Sequence, residues 1–175
     1  MKKIQIMLLA MIVTSPAYAR LGETLAECDA RYEGQMSKGM VWRDAFQKNY
    51  QSHGIRVIVR LPDGDENSKV FDIDYRRSDS IDPETPWAEK LLEANAQGFE
   101  WKEEQVLISP FFPKAQQNIP NSQKPLRKWT RSDGEAFAEL HKNYMLKIKT
   151  KASLEFEQLK LKEKRENTSQ SLDGM

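Results

Sequence analysis

Residues 54–76, GIRVIVRLPDGDENSKVFDIDYR, decide the fold that this sequence predicts. Apolar side chains alternate with polar ones over 54–61, which is the period-two pattern of a half-buried strand. Residues 62–68 have the composition of a turn, and residues 70–76 alternate again, with aspartates where the first strand has arginines. We therefore expect an antiparallel hairpin whose charged side chains pair on a solvent-exposed face. These side chains are Arg56 and Arg60 on the first strand and Asp72 and Asp74 on the second.

Helix signals lie on both sides of this hairpin. The run Thr24–Glu27 fits a capping box, so a first helix is expected to begin there and to end at Gly34. A second helix is expected over 86–97, because an amphipathic stretch there is followed by Gly98. Residues 35–53 show no regular pattern, and we expect them to be irregular.

The second half of the chain predicts three more strands. Residues 129–131 and 136–140 lie on either side of an Asp-Gly turn, and residues 144–150 alternate clearly. Together with the first hairpin, this makes about five strands joined by short turns. Such an arrangement is typical of an antiparallel meander with helices packed on one face, so the predicted fold class is α+β.

The domain organisation follows from these elements. A single α+β domain is expected over 20–150, followed by an amphipathic charged helix over 151–166 and a disordered tail over 167–175. Residues 109–126 carry four prolines and predict a long loop. Because long loops are often functional, this face is a candidate site.

The first nineteen residues have the layout of a secretory signal peptide. Lys2 and Lys3 precede an apolar run that is too short to span a bilayer, since a membrane helix needs ~20 residues. Ala17 and Ala19 place small residues at the positions that signal peptidases require, so cleavage is expected after Ala19. The mature protein is therefore expected to be periplasmic or extracellular, with no transmembrane anchor after cleavage.

The charge balance argues against nucleic-acid binding. The chain has 27 Lys and Arg against 26 Asp and Glu, and removal of Lys2 and Lys3 with the leader leaves a slight negative excess. Nucleic-acid-binding domains present a clustered basic surface instead.

Cys28 is the only cysteine, which excludes an intramolecular disulfide. The preceding residues resemble a lipobox only faintly, because the charged Glu27 stands where a small residue belongs. Pairing of Cys28 with His53 or His141 as a nucleophile and base is disfavoured, since acidic neighbours and an apolar helix face raise a thiol pKa. We expect Cys28 to be a buried structural residue.

Other chemical sites are weakly supported by the sequence. The turn at 63–68 resembles a calcium loop but has Ser68 where glycine is required, and two histidines are too few for a zinc site. Asp72 and Asp74 resemble the carboxylate pair of a glycosidase, but a surface ion-pair ladder explains them more simply. No catalytic residue, metal site or cofactor is predicted.

Candidate partner-binding residues lie beside the loops and in the last helix. Trp42 and Trp101 are next to predicted loops, and Phe156 and Leu159 belong to the apolar positions of the charged helix. Aromatic residues serve as anchors at interfaces, but they also fill cores. Packing in the core is the competing explanation for the tryptophans, and docking on the protein's own sheet is the competing explanation for the helix.

Three stretches of the sequence resemble an uncharacterised family of small exported bacterial proteins. They are LGET at 21–24 with RY at 31–32, LLEAN at 91–95, and WTRSDG at 129–134. The resemblance implies a helix followed by a strand meander, and it brings no activity. More remotely, the layout is similar to accessory lipoproteins of outer-membrane barrel assembly, although this chain lacks a usable lipobox cysteine and inserts a helix between its strands.

The sequence therefore favours an exported, non-catalytic protein that binds a protein partner in the cell envelope. The alternative is a small hydrolase or ligand-binding protein that uses the face near residues 109–126.

Overall fold

The computed structural model describes residues 19–32, 38–77, 86–104, 125–142 and 144–173, with side chains described up to residue 168. Three helices and eight strands are present within these ranges. The helices are α1 (Leu25–Arg31), α2 (Trp87–Ala94) and α3 (Lys151–Asp173). The strands are β1 (Met40–Trp42), β2 (Ala45–Ser52), β3 (Ile55–Leu61), β4 (Asp72–Arg77), β5 (Trp101–Glu104), β6 (Pro125–Arg131), β7 (Ala136–His141) and β8 (Met145–Thr150).

The strands form one open antiparallel sheet in the order β1-β2-β3-β4-β8-β7-β6-β5. The α+β class is confirmed, and so is the β3–β4 hairpin, in which Val59 lies opposite Ile73. The expectation of about five strands is wrong, because β1, β2 and β5 are additional. The single meander is also interrupted, since β4 pairs with β8 and not with the next strand along the chain.

The additional strands β1 and β2 replace the irregular segment expected over 35–53. They join through a two-residue turn in which Arg43 and Asp44 both have positive φ, at 50° and 66°. Positive φ at both central residues is the mark of the tight turns that match the twist of a hairpin. β2 then pairs with β3 over seven residues, so its polar sequence is held in place by backbone bonding to an apolar neighbour.

The core lies between one face of the sheet and helices α1 and α2. Its largest fully buried side chains belong to the central strands, and the helices contribute Leu25, Cys28, Trp87, Leu91 and Leu92. The capping box of α1 is confirmed, because Thr24 accepts a bond from the Glu27 amide and Glu27 accepts one from the Thr24 amide. α2 ends at Ala94, three residues before the expected end, and Asn95 occupies its C-cap position.

The segment before α1 is packed into this core. Ala19 is fully buried, its amide donates to the Tyr32 hydroxyl, and its carbonyl accepts from the Tyr75 hydroxyl. The Leu21 amide donates to Asn95 Oδ1 at 2.9 Å. The expected cleavage position after Ala19 adjoins this packed segment and stays a prediction, and residues 1–18 lie outside the described ranges.

The last helix is attached to the domain by its first two turns. Ser153 is fully buried, and the ring of Phe156 lies 5.5 Å from that of Phe71. Residues 161–168 are all exposed. The helix continues to Asp173, beyond the 151–166 expected, so residues 167–173 are helical where a disordered tail was predicted. Only the beginning of α3 therefore docks on the domain.

Candidate functional site

A cleft of about 450 Å³ opens between the β1–β2 hairpin and α3. We call it the hairpin–helix cleft. Its lining comes from the hairpin, from the ends of β3, β4 and β8, and from one side of α3. The lining residues are Trp42, Arg43, Asp44, Ala45, Arg60, Phe71, Asp72, Lys149, Phe156, Glu157, Lys160, Leu161 and Lys164.

Aromatic side chains form the walls of the cleft. Trp42 stands on the hairpin side, where 40% of its surface remains exposed. Phe71 and Phe156 form the opposite wall through their tilted ring contact. Leu161, on the next turn of α3, is 58% exposed. An apolar surface of this kind, open to solvent at one end, suits a bulky apolar side chain.

Buried charges form the floor. Arg60 donates to Asp72 Oδ1 and to Asp74 Oδ2, both at 2.9 Å, and its guanidinium carbon lies 5.0 Å from the centre of the Trp42 ring. Asp72 and Asp74 are 2% and 1% exposed. The sequence correctly predicted that Arg60 pairs with these aspartates, but the expectation of a solvent-exposed face is wrong. Trp42 and α3 cover this end of the sheet.

The two floor carboxyls differ in their pKa. Burial raises the pKa of Asp72 to about 6, and the nearby Arg60 and Lys149 offset that effect only in part. Burial also acts to raise the pKa of Asp74, but hydrogen bonds and charge from Arg60, together with Lys147 and Arg76, outweigh it, so the Asp74 pKa lies below its ordinary value. The floor therefore gains a negative charge as Asp72 ionises near pH 6.

We expect Asp72 to make the fold less stable as the pH rises from 4.5 to 6.5. Its carboxyl ionises near 3.8 when unfolded and near 6 when folded, so between these values the folded state holds a proton that the unfolded state has lost. Raising the pH from 4.5 to 6.5 favours unfolding by about 2 kcal/mol, which is most of the full effect at ~1.4 kcal/mol per pKa unit. Urea denaturation at pH 4.5, 5.5 and 6.5 measures the slope. Asp72→Asn should abolish it and the exposed-turn variant Asp63→Asn should keep it, whereas equal slopes in all three proteins would contradict the assignment.

The charges around the cleft favour an anionic ligand. Among the described lining residues, five are cationic and three are acidic. Lys149 is paired with Glu157 at 2.7 Å, and Lys160 with Glu163 at 2.9 Å. Arg43 lies over the Trp42 ring, 4.3 Å from its centre, and no carboxylate of a described residue is within 4 Å of Arg43 or Lys164. These two cations stand at the mouth of the cleft.

The same face of the sheet continues as a row of alternating charges beyond the cleft. The cross-strand register places Asp74 opposite Lys147, Lys147 opposite Glu139, and Glu139 opposite Lys128. His141, whose Nε2 lies 3.4 Å from Glu139 Oε2, and Lys128 lower the pKa of Glu139 to about 2. Lys128 pairs with Glu139 at 3.2 Å, and Asp74 pairs with Arg60 and Arg76, so both carboxylates of this row have partners within the protein.

Three of the four predicted partner-binding residues belong to the cleft or to α3 beside it. Trp42 and Phe156 line the cleft, and Leu159, which is 59% exposed, lies one turn further along α3. Trp101 lies on β5, at the other edge of the sheet, where its indole N–H donates to the Leu92 carbonyl at 2.7 Å. Trp101 is partly buried against the core.

Other predictions on single residues are decided by burial. Trp87 and Trp129 are buried, as core packing requires. Cys28 is fully buried, and burial raises its thiol pKa to about 12, so the structural interpretation of this cysteine is confirmed. The candidate loop at 109–126 lies outside the described residues up to position 124.

Sequence reasoning did not single out Arg43, and it placed Lys160 and Lys164 on the charged last helix, as a possible docking surface, without assigning them to a cleft. Their only local signal is the pair of turn residues after an isolated tryptophan and the excess of lysine in α3. Which cations share a cleft with Trp42 depends on how α3 crosses the hairpin, and that is a tertiary contact.

With this geometry established, the chain was compared with known proteins. No protein family matches it. No curated protein and no solved structure is significantly similar to it either. The resemblance to small exported bacterial proteins therefore stays a prediction that rests on three short stretches of sequence.

Two surveys of the described residues complete the description of the site. No helix there is long and apolar enough to span a membrane. No three or more His, Cys, Asp or Glu side chains in those ranges gather as metal ligands would.

Proposed function

We propose that this chain is an exported, non-catalytic accessory protein of the cell envelope, and that it binds a partner protein at the hairpin–helix cleft. The export part rests on the leader-like residues 1–19. The binding part rests on the cleft, and the two parts are tested separately below.

The observation that carries the proposal is the exposed apolar surface at the mouth of the cleft. Met40, Val41 and Trp42 are 50%, 75% and 40% exposed, and Trp42 lines the cleft together with Leu161 of α3, which is 58% exposed. Monomeric soluble proteins rarely leave a contiguous apolar surface of this kind uncovered unless it binds something. Tryptophan and arginine, which meet here, are the residues most enriched among the anchors of protein interfaces.

The alternative of a hydrolase or ligand-binding protein that uses residues 109–126 stays a prediction, because most of that segment lies outside the described ranges. The hairpin–helix cleft favours protein binding over it. Its apolar wall at Trp42 continues along the exposed strand β1, and an open surface of this kind suits a polypeptide better than an enclosed small molecule.

Site-specific photocrosslinking in living cells tests the proposal. A photoreactive amino acid placed at Val41 or at Leu161 should give the same protein adduct, because Val41 adjoins Trp42 on the exposed strand β1 and Leu161 lines the cleft. The control position is Lys102, which is exposed on β5 at the opposite edge of the sheet. We expect the adduct from the two cleft positions only, and we expect Trp42→Ala to reduce it at least fivefold.

The same samples test export. Fractionation should place the adduct in the periplasmic or membrane fraction, and a leaderless chain should give none. Adducts of equal yield from Val41 and Lys102, or no adduct from either cleft position, would contradict the binding part of the proposal.

A further inference from the structure

The strand that borders the cleft is an edge strand. β1 pairs with β2 on one side, through Met40–Gln47, Val41–Phe46 and Trp42–Ala45. Its other side carries no pairing within the described residues, since β1 is first in the order of the sheet. Exposed edges present unpaired backbone groups that accept another strand, and proteins limit this by keeping edge strands short or by placing charges or prolines on them. β1 is short, but its three residues are all apolar and exposed.

The hairpin geometry shows which backbone groups face outward. A two-residue turn closes on a pair of residues that exchange both hydrogen bonds, and here that pair is Trp42 with Ala45. Bonded and non-bonded pairs alternate along an antiparallel ladder. The N–H and C=O of Val41 therefore point away from β2, toward the open edge.

The side chains of β1 connect this edge to the cleft. Met40 lies opposite Gln47, which lies opposite Arg60, so Met40 is on the face of the sheet that carries Arg60 and Asp72. Trp42, two residues further along β1, is on the same face. Val41 points to the opposite face. A strand added beside β1 would thus place every second side chain next to Trp42 and the cleft.

From this geometry we propose that β1 accepts an extended acidic segment of the partner protein, which adds to the sheet beside Val41 and inserts an apolar side chain against Trp42. The inference rests on the proposed function and names the chemistry of its partner. Backbone bonds supply the pairing, and the cleft supplies the specificity.

The charge of the cleft selects an acidic segment. Arg43 and Lys164 line the cleft with no carboxylate of a described residue within 4 Å of either, and against these two cations stands one acidic lining residue without an ion pair in the described ranges, Asp44. A second copy of this chain is the less favoured occupant. Two copies paired along β1 would bring Arg43 and Lys164 of both copies to the same face of one continuous sheet, where these cations repel one another.

Synthetic peptides of defined sequence test the inference on the purified exported protein. The probe is a fluorescein-labelled peptide with the core Glu-Val-Phe-Val-Glu, whose phenylalanine and glutamates share one face when extended. The matched peptide replaces both glutamates with lysine. By fluorescence anisotropy, we expect the acidic peptide to bind at least tenfold more tightly than the lysine peptide, with affinity that falls as salt is raised.

Two substitutions at one position separate strand addition from simple contact. Val41→Pro removes the outward N–H and leaves the β1–β2 bonds of Met40 and Trp42 in place, so we expect at least tenfold weaker binding by a folded protein. Val41→Thr keeps the N–H and should bind as the unmodified protein does. Circular dichroism checks that both variants are folded.

Each remaining outcome overturns the inference. Equal affinity of Val41→Pro and Val41→Thr would exclude strand addition, and equal affinity of the two peptides would exclude the acidic preference. A dimer that is lost in Val41→Pro would assign the edge to a second copy. If the peptides do not bind but the Val41 and Leu161 crosslinks form in cells, the proposed function stands and the strand-addition inference is wrong.

Discussion

Replacing Arg60 with alanine should destabilise the protein by about 3–5 kcal/mol, the largest effect we expect from a single surface-proximal substitution. Arg60 donates to two carboxylates that are almost completely buried, Asp72 and Asp74. Without Arg60, two buried negative charges would lie close together and would lack most of the positive charge and hydrogen bonding that now stabilises them. The free energy of unfolding in urea at pH 8 measures the loss.

The matched control for this substitution is Arg56→Ala. Arg56 lies on the same strand and the same face as Arg60, but it is exposed, so its loss should change the free energy of unfolding by about 0.5 kcal/mol or less. The effect of Arg60→Ala should also be smaller at pH 5, because Asp72 is then largely protonated. A loss below about 1 kcal/mol at pH 8 would show that the network is not held by Arg60.

Replacing Asn95 with alanine should cost about 2–4 kcal/mol. The Asn95 side chain is fully buried, accepts from the Leu21 amide at 2.9 Å, and donates to the Tyr75 hydroxyl at 3.0 Å and to the Leu91 carbonyl at 2.8 Å. It therefore connects the N-terminal segment, β4 and α2. Alanine would leave the buried Leu21 amide without its acceptor and the Tyr75 hydroxyl without its donor.

The control for Asn95 is Asn67→Ala, since Asn67 is exposed in the β3–β4 turn. Surface substitutions of this kind usually stay within about 0.5 kcal/mol. Thermal unfolding of the two variants should therefore separate clearly, and equal melting temperatures would contradict the structural role assigned to Asn95. Amide exchange would also identify the cause, because the Leu21 amide should lose protection in Asn95→Ala.

Local signals predicted the elements that carry their own pattern. The β3–β4 hairpin was predicted because alternation over 54–61 and 70–76 reflects one buried face in each strand. The capping box at Thr24–Glu27 was predicted because both its bonds join residues three positions apart. β7 and β8 were predicted for the same reason as the first hairpin.

The strands that were not predicted show little hydrophobic alternation. Backbone pairing with a neighbouring strand, and not their own sequence, holds them in the sheet. β2 contains few apolar residues and pairs along its length with apolar β3. β5 is four residues long and mostly exposed, and only its pairing with β6 makes it a strand. Long-range pairing of this kind leaves little trace in a local window.

Asp72 and Asp74 show the same limit at the candidate site. Their alternation with Ile73 and Tyr75 correctly places them on the face opposite the core. The same alternation would place Phe71 in the core, whereas Phe71, just before β4, contacts Phe156 of α3 and does not belong to the core. Whether the face of the two aspartates is exposed to solvent depends on what packs over it, and here Trp42 and α3 cover it. Sequence reasoning therefore found the ion pairs and missed their burial, which is what raises the pKa of Asp72.

The sequence by itself determined the α+β class, the central hairpin, the capped first helix and the pairing of Arg60 with its aspartates, because each depends on residues close together in the chain or on a simple period. Only the tertiary structure decided the order of the strands, the open edge at β1 and the cleft beneath α3. These arise where segments distant in sequence meet, and the free energy of such contacts depends on shape and burial that no local pattern records.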